Sequence, residues 1–272
     1  MLELNKVYNM PCEEGILLLD NSSVDLIVTS PPYAEQRKNQ YGGISEKDYP
    51  KWMVNIMKPL KKVLKSNASI FINIRPHIKN GVISDYVLRT RLALRDDGWN
   101  ECEELIWIKP DSPPLGSIYR PRRAWESILW FSLSNKPYCN PKAVGVESNR
   151  IGFENSKFEH GGKSHIHAGQ NNAKQGIARG KDYIEVGTGK INKNIKHPAM
   201  FPVQIPEYLI KMCSNEGDLI VDIFAGSSTT GIASLQNNRN YIGFDIDKEY
   251  CDIGQKRIDD LGFVVWNLVN GR

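Results

Sequence analysis

The chain has 272 residues, of which 40% are hydrophobic and 24% charged, and its formal net charge at pH 7 is +4. This length can bury a sizeable core, so we predict one large domain or one domain with a large insertion. The five cysteines are odd in number and never form a Cys-x-x-Cys pair, which argues against a disulfide framework and a zinc site.

The amino-terminal segment lacks a basic region followed by an apolar core, so we expect no signal peptide. No apolar run approaches the roughly 18 residues needed to span a bilayer, so we expect no membrane partner. Scattered cysteines suit a reducing compartment. Together these features predict a soluble, cytoplasmic protein.

Short apolar runs alternate with longer mixed segments, a pattern typical of an α/β fold with a mainly parallel sheet. The apolar runs predict strands over residues 25–29, 69–74, 104–107, 127–131, 218–222 and 240–245. Helical spacing predicts helices over residues 49–64, 82–96, 203–214 and 229–236. Pro59, inside the first of these helices, is expected to kink or split it.

The first predicted strand stops abruptly at Thr29-Ser30-Pro31-Pro32-Tyr33. Proline has no N–H to donate and fixes its own backbone angle, so this segment is a poor continuation of a buried strand. We predict a rigid turn that presents a hydroxyl group and an aromatic ring at the end of the sheet.

Residues 134–196 differ in composition from the rest of the chain. They contain 11 Lys and Arg against 5 Asp and Glu, together with nine glycines and little periodicity. A local charge of +6 favours a polyanionic partner for this segment. The alternative is a long disordered or poorly packed insertion without a ligand.

A second motif, DLIVDIFAGSSTTG, covers residues 218–231. It combines a buried strand that ends in Asp222 with a turn of small residues that opens a helix. Small residues let the backbone approach a ligand, and a helix amino terminus offers free N–H groups. The next strand ends in Asp245, which is placed to accept hydrogen bonds from ribose hydroxyls. The cofactor-binding residues predicted from this motif are Asp222, Ala225, Gly226, Ser227, Ser228, Thr229 and Asp245.

Two cofactor classes and a turn without a ligand are compatible with this motif. A nicotinamide dinucleotide is disfavoured because GxGxxG is absent and Asp222 would repel a pyrophosphate. An acid at this position suits a cofactor with a positive group, such as the ammonium or sulfonium of S-adenosylmethionine. We therefore predict S-adenosylmethionine.

The two motifs together resemble those of the β-class amino methyltransferases of DNA, which methylate exocyclic amines. The resemblance extends over residues 7–20, 25–33, 64–74, 107–131, 197–206 and 218–231. The catalytic motif precedes the cofactor motif, which is the order that marks this class. Ser228 departs from the family, which often has glycine at this position in a GSGTT-like loop. The resemblance also places Phe224 beside the adenine or methionine of the cofactor, and aromatic packing within the loop is the alternative.

The resemblance implies a Rossmann-like, S-adenosylmethionine-dependent methyltransferase fold with circularly permuted motif order. Its seven-stranded, mostly parallel sheet would contain one reversed strand. It also implies a catalytic half over residues 1–133, a target-recognition insert over 134–196 and a cofactor-binding half over 197–272. The basic insert would contact phosphates and base edges.

The resemblance also assigns chemistry to the catalytic residues Ser30, Pro31, Pro32 and Tyr33. An exocyclic amine is a weak nucleophile, and the Ser30 hydroxyl and the Pro31 carbonyl could accept its N–H bonds. Tyr33 would stack on a base flipped out of the duplex. In this family Ser before Pro-Pro-Tyr usually accompanies cytosine N4, whereas Asp or Asn accompanies adenine N6, so Ser30 favours cytosine.

Two groups of basic residues are candidates for contacts to DNA. Arg37 and Lys38 follow the catalytic turn, and Arg120, Arg122 and Arg123 flank Pro121. Solvated charged loops are the alternative in both places.

Several other residues resemble functional ones but are given structural roles. Cys12 follows a proline, as in enzymes that methylate cytosine carbon 5, but the motif order is wrong for that class. Ser112-Pro113-Pro114 is followed by Leu115 rather than an aromatic, so it is predicted as a rigid loop. His160, His165 and His167 lack a fourth ligand, so no metal is predicted. Core positions are predicted for Trp52, Trp107 and Trp130.

These observations predict a site-specific methyltransferase that modifies cytosine N4 in double-stranded DNA, as part of a restriction–modification system. Methylation of adenine N6 is the first alternative. An RNA or small-molecule methyltransferase and an inactive DNA-binding protein are less favoured. Its partners would be DNA and a separately acting restriction endonuclease, and the enzyme would be a monomer or homodimer.

Overall fold

The computed structural model describes residues 2–36, 43–114, 117–147, 158–160, 163–165, 176–188 and 201–270. The strands are Lys6–Asn9 (β1), Val24–Thr29 (β2), Leu64–Ile74 (β3), Ile78–Lys79 (β4), Val82–Ile83 (β5), Asn100–Ile108 (β6), Trp125–Ser132 (β7), Val146–Glu147 (β8), Phe158–His160 (β9), Lys163–His165 (β10), Ile177–Ala178 (β11), Tyr183–Glu185 (β12), Leu219–Asp222 (β13) and Asn240–Asp245 (β14). The helices are Cys12–Leu17 (α1), Tyr49–Val63 (α2), Tyr86–Asp96 (α3), Gln204–Cys213 (α4), Thr229–Gln236 (α5) and Lys248–Asn270 (α6).

Eight strands form the main sheet, in the order β1-β14-β13-β2-β3-β7-β6-β12. Every neighbouring pair is parallel except the two that involve β7, which runs against β3 and β6. The predicted mostly parallel sheet with one reversed strand is therefore confirmed. The predicted number of seven strands is wrong, because β1 and β12 occupy the two edges and are too short to give a clear periodic signal. Strand β12 lies within residues 134–196, so this segment supplies a strand to the sheet.

The two motif-bearing strands are neighbours at the centre of the sheet. Ile220 and Val221 of β13 pair in parallel with Leu26 and Ile27 of β2. Parallel neighbours end at the same edge of a sheet, so the turn after β2 and the turn after β13 lie side by side.

Helices cover both faces of the sheet, as alternating side chains of β2 show. Ile27 packs in a cluster with residues of α1, α2 and α3, including Met53. Leu26 and Val28 pack in a second cluster with residues of α4 and α5, including Leu209. Successive residues of a strand point to opposite faces, so both faces of β2 are buried and the strand is apolar throughout.

Two helix predictions need correction. Helix α2 runs unbroken through Pro59, so the expected split does not occur. Proline removes one backbone hydrogen bond, and the buried side chains of Met57 and Leu60 on either side of it hold this part of the helix against the core. The helix predicted from residue 82 begins at Tyr86, because residues 78–83 form a hairpin. Asn80 and Gly81 have φ angles of 49° and 75° at its tip, as in a type I′ turn.

In the part of the chain that the structure describes, no helix combines the length and apolar character needed to cross a membrane.

Candidate active site at the carboxyl edge of the sheet

Asp222 connects the two motifs. Its Oδ1 accepts hydrogen bonds from the Thr29 hydroxyl at 2.7 Å and from the Phe224 N–H at 3.1 Å, and its Oδ2 accepts one from the Thr230 hydroxyl at 2.7 Å. The residue is only 2% exposed, and burial raises its pKa from 3.8 to about 6 although the three donors oppose the shift. Asp222 therefore lies beneath the two turns and joins them.

The small-residue turn after β13 is held by the neighbouring strand. The Ala225 N–H donates to the Phe244 carbonyl at 2.9 Å, and the Gly226 N–H donates to Asp245 Oδ2 at 2.8 Å. Ser228 is buried and left-handed, with φ 60° and ψ 42°. Only glycine adopts this region without a steric cost, which accounts for the glycine that the family often has there. Thr229 is the first residue of α5, so the turn leads directly to a helix amino terminus.

A cavity of about 240 Å³ opens between the end of β13, the end of β14 and helix α2. It is lined by Pro11, Cys12, Glu13, Ile44, Trp52, Ile223, Phe224, Asp245 and Ile246. The centroids of the Trp52 and Phe224 rings lie 5.7 Å apart, and Asp245 also lines the cavity. The lining is mainly apolar and includes two acids, Glu13 and Asp245, and such a cavity suits a flat aromatic ligand that carries hydroxyl groups.

Two of the lining residues have roles that differ from those predicted from the sequence. Trp52 is predicted as a core residue, but its half-buried ring forms part of the cavity wall. Cys12 is buried, as expected for a structural residue, yet it also lines the cavity. Burial and the neighbouring Glu13 raise the pKa of the Cys12 thiol, which keeps it protonated and unreactive.

The catalytic turn leaves β2 with Pro31 buried and with Ser30, Pro32 and Tyr33 half-buried. The Tyr49 hydroxyl donates to the Pro32 carbonyl at 3.0 Å. This hydrogen bond fixes the backbone of the turn immediately before Tyr33. It adds to the rigidity that the two prolines predict.

Tyr33 is held from its hydroxyl end. Its O–H donates to Glu126 Oε2 at 2.8 Å, and burial together with the Glu126 charge raises the pKa of the phenol well above its ordinary value. The phenol is consequently neutral at physiological pH. Glu126 also accepts a hydrogen bond from the buried Lys109 ammonium and lies 3.8 Å from the Arg75 guanidinium. The Lys109 ammonium in turn lies 3.9 Å from the centroid of the Trp107 ring.

The sequence analysis does not assign a role to Glu126, Lys109 or Arg75. A usable signal exists for one of them, because Glu126 is an acid inside the apolar run of β7, and buried acids are rare unless they are paired. Lys109 and Arg75 follow β6 and β3 immediately, but nothing local connects them to Tyr33.

The predicted DNA-contacting residues divide into two groups. Arg37 and Lys38 lie outside the described residues, as does His167. Arg120 and Arg122 are exposed on the loop between β6 and β7, and Arg123 is half-buried. Arg120 donates to the Gly81 carbonyl of the β4–β5 hairpin, and Arg122 donates to the Ser112 carbonyl at 3.2 Å.

Comparison with known proteins gives matches over most of the chain. A family model described as DNA methylase, covering N6 and N4 enzymes, matches residues 24–256. The type II methyltransferase M.PvuII of Proteus hauseri is 27% identical over 262 residues, covering 85% of this chain and 76% of that protein. The orphan methyltransferase M.BamHII of Bacillus amyloliquefaciens is 30% identical over 257 residues, covering 88% of this chain and 90% of that protein.

Solved structures show the same fold. PvuII DNA methyltransferase, described as cytosine-N4-specific, superposes with a TM-score of 0.72 at 24% identity, covering 98% of this chain and 93% of that one. A DNA modification methylase of Thermus thermophilus, in complex with S-adenosylmethionine, superposes with a TM-score of 0.61 at 18% identity, covering 94% of this chain and 93% of that one.

Proposed function

The chain belongs to the DNA methylase family of N6 and N4 enzymes and is a DNA methyltransferase of the restriction–modification type. From this premise we propose that it methylates the N4 amine of cytosine in double-stranded DNA. The observation that carries the proposal is the contact between the two motifs, in which Thr29 of the catalytic strand donates to Asp222 of the cofactor strand at 2.7 Å. A separately acting restriction endonuclease would be its functional partner.

The cavity beside Phe224 fits the adenosine part of S-adenosylmethionine. The adenine ring would lie against the aromatic wall that Trp52 and Phe224 form, and the Asp245 carboxylate would accept hydrogen bonds from the ribose hydroxyls. The turn at Gly226 allows close approach of the backbone. When bound, this cofactor supplies an electrophilic methyl group on a sulfonium.

The turn after β2 would receive the target base. We propose that the Ser30 hydroxyl oxygen and the Pro31 carbonyl accept hydrogen bonds from the N–H groups of the amine, which favours a pyramidal nitrogen with an available lone pair. Tyr33 would stack on the flipped base, and its bond to Glu126 would fix the plane of the ring. Since Asp222 ties this turn to the cofactor turn, amine and methyl group would be held in line, which supplies much of the acceleration in a two-substrate reaction.

The choice of cytosine N4 rests on Ser30. Serine, with its neutral hydroxyl, is the residue before Pro-Pro-Tyr that usually accompanies methylation of cytosine N4 in the family. The basic segment 134–196, with its local charge of +6, is proposed to contact the phosphates and base edges of the recognition site.

Incubation of the protein with labelled S-adenosylmethionine and mixed-sequence duplex DNA, followed by digestion of the DNA to nucleosides, tests the proposal. We expect the label in N4-methyldeoxycytidine. Label in N6-methyldeoxyadenosine would show instead that the amine at Ser30 belongs to adenine.

The chain contains its own control for the role of the turn, because Ser112-Pro113-Pro114 repeats the tripeptide elsewhere. Ser30→Ala should lose most of the methyl transfer, whereas Ser112→Ala should retain it. Equal activity of the two variants would contradict the role of Ser30.

A further inference from the structure

Ile118 and Tyr119 form an exposed apolar pair. Each is 89% exposed, the highest value among the large hydrophobic residues that the structure describes. Two adjacent apolar side chains that both project into solvent make this loop a candidate surface for contact with another molecule.

This pair lies on the same edge of the sheet as the catalytic turn. The connecting loop begins after β6, which runs parallel to β3, and it ends at β7, so both of its ends lie at the carboxyl edge of the sheet. Glu126, at the end of the loop, accepts the hydrogen bond of the Tyr33 hydroxyl, and Lys109, at its start, donates to the same Glu126 carboxylate. The loop that carries Ile118 and Tyr119 is thus continuous with the residues that hold the stacking ring.

The charge around the pair identifies the kind of partner. Residues 112–125 contain Arg120, Arg122 and Arg123 and no acidic residue, which gives the loop a local charge of +3. An apolar pair flanked by arginines matches a duplex, in which phosphates surround stacked bases. Proteins that distort DNA insert apolar wedges between base steps, and tyrosine also stacks on bases.

We propose that Ile118 and Tyr119 enter the duplex at the target base pair and occupy the space that the flipped base leaves. The inference rests on the proposed function, because it requires a base to be extruded. Tyr119 stacks on the remaining neighbours of the target, Ile118 fills the adjacent apolar space, and Arg120 and Arg122 contact the flanking phosphates. The pair lowers the free energy of the open state of the base pair, and it touches neither the methyl donor nor the amine.

A comparison of two duplexes tests this role. Both contain the modified site, identified by sequencing DNA that the wild-type enzyme has methylated. In the first duplex the target base is paired, and in the second it faces an abasic position, which removes most of the cost of extrusion. The variants are Ile118→Ala/Tyr119→Ala, the conservative Tyr119→Phe, and the control Leu92→Ala, whose half-exposed apolar side chain lies on α3.

We expect the double variant to lose roughly 10-fold or more in kcat/KM on the paired duplex, as the loss of a stacking contact predicts. On the abasic duplex the loss should be less than about 3-fold, because the unpaired base is already easy to extrude. Tyr119→Phe and Leu92→Ala should match the wild type on both duplexes.

Three results would overturn the inference. The first is wild-type kinetics of the double variant on the paired duplex. The second is an equal loss on both duplexes, which would mean that the pair contributes to binding but not to opening. The third is a wild-type enzyme that labels no base in mixed-sequence DNA, so that no site can be identified, which would also refute the proposed function. Wild-type activity combined with an unaffected double variant refutes the role of the pair alone.

Discussion

The Thr29 hydroxyl donates a 2.7 Å hydrogen bond to the Asp222 carboxylate, although 193 positions separate the two residues in the chain. Both side chains are buried, and the bond links the strand that ends in the proposed catalytic turn with the strand that ends in the proposed cofactor turn. A charge-assisted bond between buried groups is short and directional. The two motifs therefore form one structural unit before any ligand binds.

Burial of Asp222 makes the stability of the protein depend on pH. Its folded-state pKa of about 6 lies above its ordinary value of 3.8, so the folded state binds the proton more tightly than the unfolded state. The free energy of unfolding should therefore decrease as the pH rises from about 4 to 6 and should then level off. A two-unit shift corresponds to roughly 3 kcal/mol.

Asp222→Asn tests this dependence, since an amide has nearly the same shape and does not titrate. Urea unfolding of both proteins should be measured at intervals from pH 4 to pH 7. The stability of the wild type relative to the variant should fall by up to roughly 3 kcal/mol across this interval. A difference that stays constant with pH would show that Asp222 titrates at its ordinary value.

Tyr33 should need its ring more than its hydroxyl for methyl transfer. Tyr33→Ala should bind the cofactor normally but lose roughly 5- to 150-fold in turnover, corresponding to a stacking contact worth about 1–3 kcal/mol. Tyr33→Phe retains the ring and loses the hydrogen bonds of its hydroxyl to Glu126 and to the Ser30 side chain, so its turnover should fall less.

Single-turnover rates and cofactor titrations of both Tyr33 variants give the measurement. Equal losses for Tyr33→Phe and Tyr33→Ala would contradict stacking and assign the function to the hydroxyl.

Ser228 and Gly254 should be energetically coupled. A Cβ added to Gly254 of α6 would overlap the Ser228 hydroxyl. Apart from Ser228, its nearest neighbour would be the Gly226 carbonyl oxygen, 3.4 Å from the added Cβ. Gly254→Ala should therefore destabilise the wild type by about 1–3 kcal/mol through overpacking. Ser228→Gly should itself be neutral or should stabilise the protein by up to about 1 kcal/mol. A left-handed conformation costs a residue other than glycine roughly 1–2 kcal/mol, and glycine removes this cost. The greater conformational entropy of glycine in the unfolded state offsets part of that gain.

A double-mutant cycle on the free energy of unfolding measures this coupling. In the Ser228→Gly background, Gly254→Ala should become nearly neutral or stabilising, since alanine favours a helix over glycine by about 1 kcal/mol. Additive effects of the two substitutions would rule out direct contact between these positions.

Trp52 should contribute to cofactor affinity. Its ring lies 5.7 Å from that of Phe224 in the cavity wall. Trp52→Leu should weaken the binding of S-adenosylmethionine by roughly 2- to 10-fold, the range expected for loss of an aromatic pair. Trp52→Phe is the matched control and should bind more tightly than Trp52→Leu. Calorimetric titration gives both constants, and unchanged affinity of Trp52→Leu would place the adenine ring elsewhere.

Much of the fold follows from local patterns. The six long apolar runs and the two turns that end them can be recognised because the burial of a strand on both faces leaves a continuous apolar run, and because proline and small residues signal turns. Strands β1 and β12 escape prediction because four and three residues carry too little periodicity. The split predicted at Pro59 does not occur, because the packing of its neighbours, which a local rule ignores, holds the helix.

The elements, the order of the two motifs and the chemical character of each turn depend on residues close together in the chain, so they can be predicted from the sequence. Which strands are neighbours depends on long-range packing and is seen only in the folded chain. The pairing of β2 with β13 places Thr29 against Asp222, and the reversed strand β7 carries Glu126 to Tyr33. Contacts of this kind join residues some 90 to 190 positions apart and depend on chain topology, which no local pattern of side chains records.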